Sequence, residues 1–366
     1  MKKLKNIAIL MGGKSSEHEI SMISGRNIFE NIDRTLYNTI LIGIDINGRW
    51  VLIDQKDFIQ SPNRYKTLKS DNTKKGISIN LGSDQPFFDQ DSNMSLGKID
   101  VIFPVLHGSY GEDGSVQGLF RLVNIPYVGC DIVGSAINID KEIMKKILKE
   151  AKIKSAKYIA FHINDRHKIT FEYVSKKLGL PLILKPSSCG SSVGVHKVNS
   201  KDEFEKALSD TFLYDNKILF EEFVIGQEVE CAVMGNNKIK ATTPGEVITN
   251  KKYNFYDYEA KYMDPNGAEI LIPAKLDVKI TNKVRKHSIK AYKALYAQGL
   301  SRVDSFVKKD GTVLLNEINT LPGFTSISMF PKLWGYEGIS YSVLIKKLID
   351  LAIDRQKYYD RLKTTF

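Results

Sequence analysis

The chain has 366 residues, of which 42% are apolar, 26% charged and 10% aromatic. At roughly 100–200 residues per domain this is two or three domains of ordinary globular composition, which excludes collagen-like, disulfide-scaffold and wholly disordered chains. The net charge is +11 and the pI about 9.2, so the first expectation is an acidic partner such as nucleic acid, phosphate or an anionic membrane.

Met1 to Lys5 is basic, like the start of a signal peptide, but the apolar run at 7–11 is short and ends in Gly12-Gly13-Lys14, not in a small-residue cleavage site. No stretch reaches the roughly 20 apolar residues that a bilayer span needs, so no membrane insertion is expected. Residues 7–11 read as a buried strand, Gly12-Gly13 as a breaker, 17–30 as a helix, and 37–44 and 50–53 as strands. Residues 55–98 are polar with weak periodicity and read as a surface insertion with one or two short strands. A second buried strand at 99–105 runs into a loop holding His107, Gly108, Glu112, Asp113 and Gly114, and a third short strand is expected at 126–128. Strand, breaker and helix in succession predict a parallel α/β sheet with ligand sites at the strand C-termini.

The rhythm then changes. Residues 140–151 read as an amphipathic helix with Ile143, Met144, Ile147, Leu148 and Ala151 on one face. Lys145, Lys146, Lys149, Lys176 and Lys177 fall on faces expected to be solvated. A strand at 181–185 leads into the small-residue run 187–194, and Ser200 looks like the N-cap of a helix at 201–211. Strands at 218–223 and 228–234, a loop at 245–264, a helix at 277–297, an antiparallel pair at 302–307 and 313–316, and a helix at 340–355 follow. The expected architecture is an α/β domain followed by an α+β unit of two sub-lobes. Cys130, Cys189 and Cys231 form no CxxC and read as reduced thiols of a cytoplasmic protein. His18-Glu19 begins like HExxH, but position 22 is Met, which excludes that zinc site.

Four constellations carry chemistry. Gly12-Gly13-Lys14-Ser15 between strand and helix is either an anion-binding helix start or a plain turn, and it is neither GxGxxG nor a Walker A motif. Lys185-Pro186 before the run 187–194 is either a phosphate cradle with a strand-end point charge or a flexible hairpin. Arg302-Val303-Asp304 and Glu317-Ile318-Asn319 place two carboxylates and an amide oxygen on one face if their strands pair, a hard-cation set suited to Mg²⁺. Arg302 beside them is suited to charge developing on a phosphoryl group or tetrahedral carbon. A solvated surface hairpin is the competing reading, and the apolar flanks Val303, Leu314, Leu315 and Ile318 favour a cleft. Finally, Phe223 and Val224 on a strand with Glu228 beyond are either a purine clamp with a ribose acceptor or a core strand with charged neighbours.

In this order, and over almost the full length, these segments resemble the D-alanine–D-alanine ligases of the ATP-grasp superfamily. The resemblance is carried by residues 12–21, by His107-Gly108 and 112–114, by 185–194, by 256–262, by 302–304, and by the run Asn316 to Thr325 (NEINTLPGFT), which is highly specific. It implies an N-terminal parallel α/β (pre-ATP-grasp) domain at 1–130, a central ATP-grasp lobe at 131–228 and a C-terminal lobe at 229–366. In that family ATP phosphorylates the carboxylate of a first D-alanine, and the amine of a second attacks the acyl phosphate to give D-alanyl-D-alanine for peptidoglycan.

By position, Glu17 matches the acceptor of the first ammonium, with His107 beside it, and Ser191 and Tyr262 match the pair that with Glu17 links the domains. Lys141 and Lys185 match the ATP-phosphate lysines, and Lys261 matches the loop lysine that closes over the γ-phosphate. Phe255, Glu221, Phe223, Val224 and Glu228 match the nucleotide contacts. Asp304, Glu317 and Asn319 match the ligands of two Mg²⁺ (or Mn²⁺), and a monovalent cation such as K⁺ is compatible with the family. Arg302 and the Gly323 N–H match the oxyanion stabilisers, while Ser328 and Met329 match the site of the second carboxylate. Acyl phosphates hydrolyse, so a closing lid is expected, and 254–264 fits it. Cys189, Glu222 and Ser305 stand where the family varies. The partners implied are ATP and D-alanine in a homodimer, with no nucleic acid, and no RRM, KH or helix-turn-helix signature stands against this. Glu259-Ala260-Lys261-Tyr262 speaks against a D-lactate-using variant. The basic excess then faces a nucleotide in a cleft, with the remaining lysines solvated.

Overall fold

The computed structural model describes residues 4–69, 76–250 and 267–363. The N-terminal unit runs through β1 (Lys5–Gly12), α1 (His18–Asn31), β2 (Tyr37–Ile44), β3 (Trp50–Ile53) and α2 (Gln55–Gln60). A two-stranded ribbon of β4 (Ile77–Ile79) and β5 (Phe87–Asp89) precedes β6 (Val101–Val105) and α3 (Ser115–Leu122). The sheet order is β3-β2-β1-β6, with β1 parallel to both neighbours and β3 antiparallel at the edge. Residues 7–11 are buried on both faces of β1, which is why they form an unbroken apolar run instead of an alternating one. The strand order reverses at β1, so the loops after β1 and β6 face a crevice at the carboxyl edge of the sheet.

Two details differ from expectation. Residues 126–128 make one parallel bridge, Tyr127 to Ile102, instead of a strand. Pro126 has no N–H to extend a ladder, and the chain turns at Gly129 with φ 107°. Residues 55–98 are also not all surface. Phe58, Tyr65 and Leu68 join the core on one face of the sheet, and Ile77 and Phe87 join the core on the other. Single apolar residues scattered among polar ones leave no period to read.

The central unit comprises α4 (Ile132–Ile139), α5 (Lys141–Glu150), β7 (Tyr158–His162), α6 (Phe171–Leu178), β8 (Leu182–Pro186), β9 (His196–Val198), α7 (Lys201–Thr211) and β10 (Lys217–Glu222). Its sheet is antiparallel throughout, in the order β7-β10-β8-β9. Ser200 caps α7 by accepting from the Glu203 N–H, as the sequence predicts. On α5 the buried residues are Lys141, Met144, Lys145 and Leu148, whereas Ile143 is exposed. This corrects the expected face: Lys145 is buried, not solvated, because the helix turns its lysines toward a buried carboxylate.

The third unit holds β11 (Gln227–Gly235), β12 (Lys240–Ala241), β13 (Gly245–Thr249), β14 (Ala268–Leu271), α8 (Val278–Ala294), β15 (Gly299–Val307), β16 (Val313–Asn319), α9 (Met329–Tyr336) and α10 (Tyr341–Tyr359). Its antiparallel sheet runs β14-β13-β11-β15-β16, with β12 added to β11. The C-terminal helix returns to the first unit: Arg355 donates to the carbonyl oxygens of Tyr127, at 2.6 Å, and of Gly129. An α/β unit followed by two α+β lobes is therefore the observed architecture. No helix among the described residues is long and apolar enough to cross a membrane.

Candidate active site

The first side of the site is the carboxyl edge of the N-terminal sheet. Gly12 and Gly13 turn the chain at φ 93° and 105°, and a Cβ on Gly12 would sit 2.2 Å from the Ile44 carbonyl oxygen, so only glycine fits there. The turn delivers Glu17 to the start of α1, where its side chain does not cap the helix and is left for other work. It accepts a hydrogen bond from the Ser191 hydroxyl, 174 positions away. His107 follows β6; its Nδ1 faces the Leu321 carbonyl oxygen at 2.8 Å, and its Nε2 meets the Ser24 hydroxyl at 3.4 Å. Burial lowers its pKa, so the ring is neutral with its proton on Nδ1.

The second side is the loop after β8. Ser191 and Ser192 adopt left-handed backbone, with φ 49° and 59°. The loop is tied to the start of α5: the Lys141 N–H donates to Ser187 O at 3.0 Å, Lys141 Nζ to Cys189 O at 2.7 Å, and Ser187 Oγ to Asp140 at 2.9 Å. Beneath it, Glu221 on β10 receives Lys185 Nζ at 3.0 Å and Lys145 Nζ at 3.1 Å, one on each oxygen. Burial opposes ionisation of Glu221, but the two ammonium groups hold its carboxyl below the ordinary range. Phe223 and Val224 fall in the connection from β10 to β11, where Lys197 Nζ lies 4.5 Å from the centre of the Phe223 ring. Glu228 stands near the start of β11.

The third side is the β15–β16 hairpin, paired as the sequence predicts. Arg302 lies opposite Asn319 and Asp304 opposite Glu317, so all four share a face. The Arg302 guanidinium grips both oxygens of Asp304, at 2.8 and 2.6 Å, and reaches Glu230 on β11 at 3.0 Å. Burial opposes the charge of Arg302, yet Asp304 and Glu230 raise its pKa well above the usual arginine value. Asn319 Nδ2 donates to Asp304 at 2.9 Å, and Lys141 Nζ lies 3.7 Å from Glu317. After β16 the Thr325 N–H donates to Ser328 Oγ at 3.0 Å, and Met329 opens α9.

These three sides enclose a cavity of about 640 Å³. Of the residues singled out from the sequence, Glu17, His107, Ser191, Arg302, Glu317, Asn319, Gly323, Ser328 and Met329 line it. Asp304 sits behind Arg302, and Lys141, Lys185 and Glu221 adjoin through Lys141 and Glu317. Phe223, Val224 and Glu228 do not line it. Phe255, Lys261, Tyr262 and all of the expected lid at 254–264 lie outside the described residues, and the start of the loop expected at 245–264 is instead strand β13, paired with β11 and β14.

Three functional candidates escaped the sequence reading. Glu112 lines the cavity and accepts the N–H groups of Gly108, at 3.0 Å, and Leu321, at 2.8 Å. It opens the segment 112–114 that carries the family resemblance. Glu230 is two residues beyond Glu228 on β11 and so on the same face of the strand, a spacing that was available. Lys145 lies one helical turn after Lys141, the i,i+4 signal that marks a shared face.

Two family models cover the chain: one described as D-ala D-ala ligase N-terminus matches residues 6–130, and one described as D-ala D-ala ligase C-terminus matches 147–350. The D-alanine–D-alanine ligase of Oceanobacillus iheyensis is 45% identical over 362 residues, 99% of this chain and 98% of that one. Among solved structures, the D-alanine–D-alanine ligase from Coxiella burnetii superposes with a TM-score of 0.85 at 35% identity, covering 98% of this chain and 96% of that one. The VanG D-Ala:D-Ser ligase from Enterococcus faecalis superposes with a TM-score of 0.84 at 33% identity, covering 96% of this chain and all of that one.

Proposed function

The chain belongs to the D-alanine–D-alanine ligase family, and from that premise we propose that it joins two D-alanines into D-alanyl-D-alanine at the expense of ATP, supplying peptidoglycan synthesis. The observation that carries this is the hydrogen bond from Ser191 to Glu17, which closes the phosphate loop over an N-terminal carboxylate across the cavity from Arg302.

Each group has a task that its surroundings suit. Glu17 takes the ammonium of the first D-alanine, and neutral His107 fixes the wall beside it without adding a charge that would repel that ammonium. ATP phosphates lie along the loop after β8, where Lys141 and Lys185 offset their charge. The phosphoryl group passes to the first carboxylate, the amine of the second D-alanine attacks the acyl carbon, and phosphate leaves. Arg302 and the Gly323 N–H stabilise the oxyanion of that attack. Ser328 and the start of α9 hold the second carboxylate. Tyr262 and Lys261 complete the closed state, and Phe255, Phe223, Val224, Glu221 and Glu228 hold the nucleotide. Excluding water protects the acyl phosphate.

Asp304, Glu317 and Asn319 would hold Mg²⁺ or Mn²⁺. Two facing carboxylates and an amide form an oxygen donor set of the kind hard cations take, and cationic Arg302 and Lys141 now offset their charge. Such ions supply charge neutralisation on the phosphates. A monovalent cation such as K⁺ is compatible with this reading. The reading carries a cytoplasmic location, supported by three cysteines that form no disulfide, and a homodimer that sedimentation would reveal.

Phosphate release with ATP, Mg²⁺ and D-alanine, set against L-alanine, tests the reaction. D-serine and D-lactate added as second substrates test its specificity: depsipeptide with little dipeptide at neutral pH would overturn the choice of D-alanine.

A further inference from the structure

Resting on the assignment of Glu17 to the first ammonium, we propose that His18 is a positioning residue for Glu17 and that residues 66–68 of the insertion are the strut that holds it.

His18 opens α1 and is buried, with 4% of its surface exposed. Its Nδ1 lies 2.8 Å from the Gly13 carbonyl oxygen, and its Nε2 accepts the Leu68 N–H at 2.9 Å. A carbonyl only accepts and an amide N–H only donates, so the ring is neutral with its proton on Nδ1. Both ring nitrogens are thereby committed to main chain.

The two main-chain partners are themselves anchored to one place. The Gly13 N–H donates to Ile44 O at 2.8 Å, and Leu68 O accepts from the Ile46 N–H at 3.2 Å. A circuit of hydrogen bonds therefore runs from the end of β2 through Gly13, the His18 ring and Leu68 back to the segment after β2. Leu68 is fully buried in the core, and its neighbours Thr67 and Lys66 both reach Glu19 on the first turn of α1.

Glu17 lies inside this circuit, in the short turn between Gly13 and His18. The turn itself is tied by the Glu17 N–H to Ser15 Oγ at 3.1 Å, by that hydroxyl to His107 O at 2.8 Å, by the His18 N–H to Ser15 O at 3.2 Å and by the Ser21 N–H to Glu17 O at 3.0 Å. The His18 ring is what links the start of this turn, at Gly13, to Leu68; without it the main chain that carries Glu17 loses that bracing, while the Ser191 bond to the carboxylate remains. None of the described residues of 55–98 lines the cavity, so the insertion reaches Glu17 through this ring, with the Thr67 and Lys66 contacts to Glu19 beside it. Its role is to hold a substrate contact from behind.

A pair of amide variants separates the two ring contacts. Gln places an acceptor oxygen near the position of Nε2 and keeps the Leu68 bond. Asn is shorter, and keeps only the reach to Gly13. His18→Asn should raise the KM for D-alanine at the first site about tenfold, with the KM for ATP unchanged, because a displaced contact weakens one substrate alone. His18→Gln should stay within about twofold of the parent enzyme on the same scale. Equal effects of Asn and Gln, or a parallel rise in the ATP constant, would overturn the proposal. An unaltered enzyme that releases no phosphate with D-alanine would overturn the functional assignment instead. Amide exchange at Leu68 in the unaltered protein gives a readout free of variant folding. It should slow when D-alanine and a non-hydrolysable ATP analogue bind, by the reciprocity of linked equilibria, and unchanged exchange would count against the strut.

Discussion

The main-chain N–H of Leu321 donates to Glu112 at 2.8 Å, joining the loop after β16 to the crevice of the N-terminal sheet. The same carboxylate takes the Gly108 N–H on its other oxygen, and the Leu321 carbonyl in turn receives His107. One buried acid thus sets the distance between the unit that holds Glu17 and the loop that holds Gly323.

Glu112 should make stability depend on pH in an unusual direction. Burial, aided by the charge of Glu17 and opposed by the N–H bonds of Gly108 and Leu321, pushes its carboxyl from 4.5 up to about 7. Between those values the folded state binds more protons than the unfolded one, so this group's contribution is full below pH 4.5 and is lost as pH rises through 7. Glu112→Gln mimics the protonated acid. It should stand close to the parent near pH 4.5 and become the more stable of the two by pH 8, where the parent has lost this contribution. Urea midpoints at three pH values read this, and a gap independent of pH would contradict the buried acid.

Lys145→Met should weaken both the fold and nucleotide binding. The change leaves Glu221 buried with Lys185 alone, and losing one partner of a buried pair costs about 3 kcal/mol or more. A lower urea midpoint and a several-fold higher KM for ATP, with the KM for D-alanine little changed, are the expected outcome. An unchanged midpoint would mean that the ammonium does not stabilise Glu221.

Glu317→Gln tests the proposed cation site. The amide keeps shape and volume but loses the charge that faces Asp304 across the β15–β16 ladder. Turnover should fall by more than about a hundredfold, beyond the range seen when a supporting group alone is lost, while the far-ultraviolet dichroism stays that of the parent. Phosphate release near the parent rate would remove Glu317 from the ligand set.

Local pattern made part of this legible. The run at 7–11, the Ser200 cap and the spacing of Glu317 and Asn319 each act within a few residues, and each stands where periodicity placed it. Lys145 shows the limit. A lysine on a helix is solvated unless something distant calls it inward, and Glu221 is 76 positions away on a strand whose neighbours no local period reveals. The same holds for Glu112, whose partner at 321 belongs to another unit. The apolar residues of 55–98 escaped for a related reason: Leu68 packs in a core that β1, β2 and α1 supply, and its N–H reaches His18, 50 positions away.

Ser191 offers a way to separate a hydrogen bond from backbone strain. Its hydroxyl donates to Glu17, and its φ of 49° is left-handed. Ser191→Ala removes the bond and keeps a Cβ in that conformation; Ser191→Gly removes the bond and relaxes the backbone. A hydrogen bond to a charged group contributes about 2 kcal/mol, equivalent to roughly thirtyfold in an equilibrium constant. If the bond closes the phosphate loop over the first substrate, both variants should lose kcat/KM for D-alanine to that extent. In urea the glycine variant should be the more stable of the two, by about 1 kcal/mol, because it alone is relieved of the strain that serine and alanine share. Equal midpoints with unequal kinetics would place the loss in the backbone of the loop, not in the contact with Glu17.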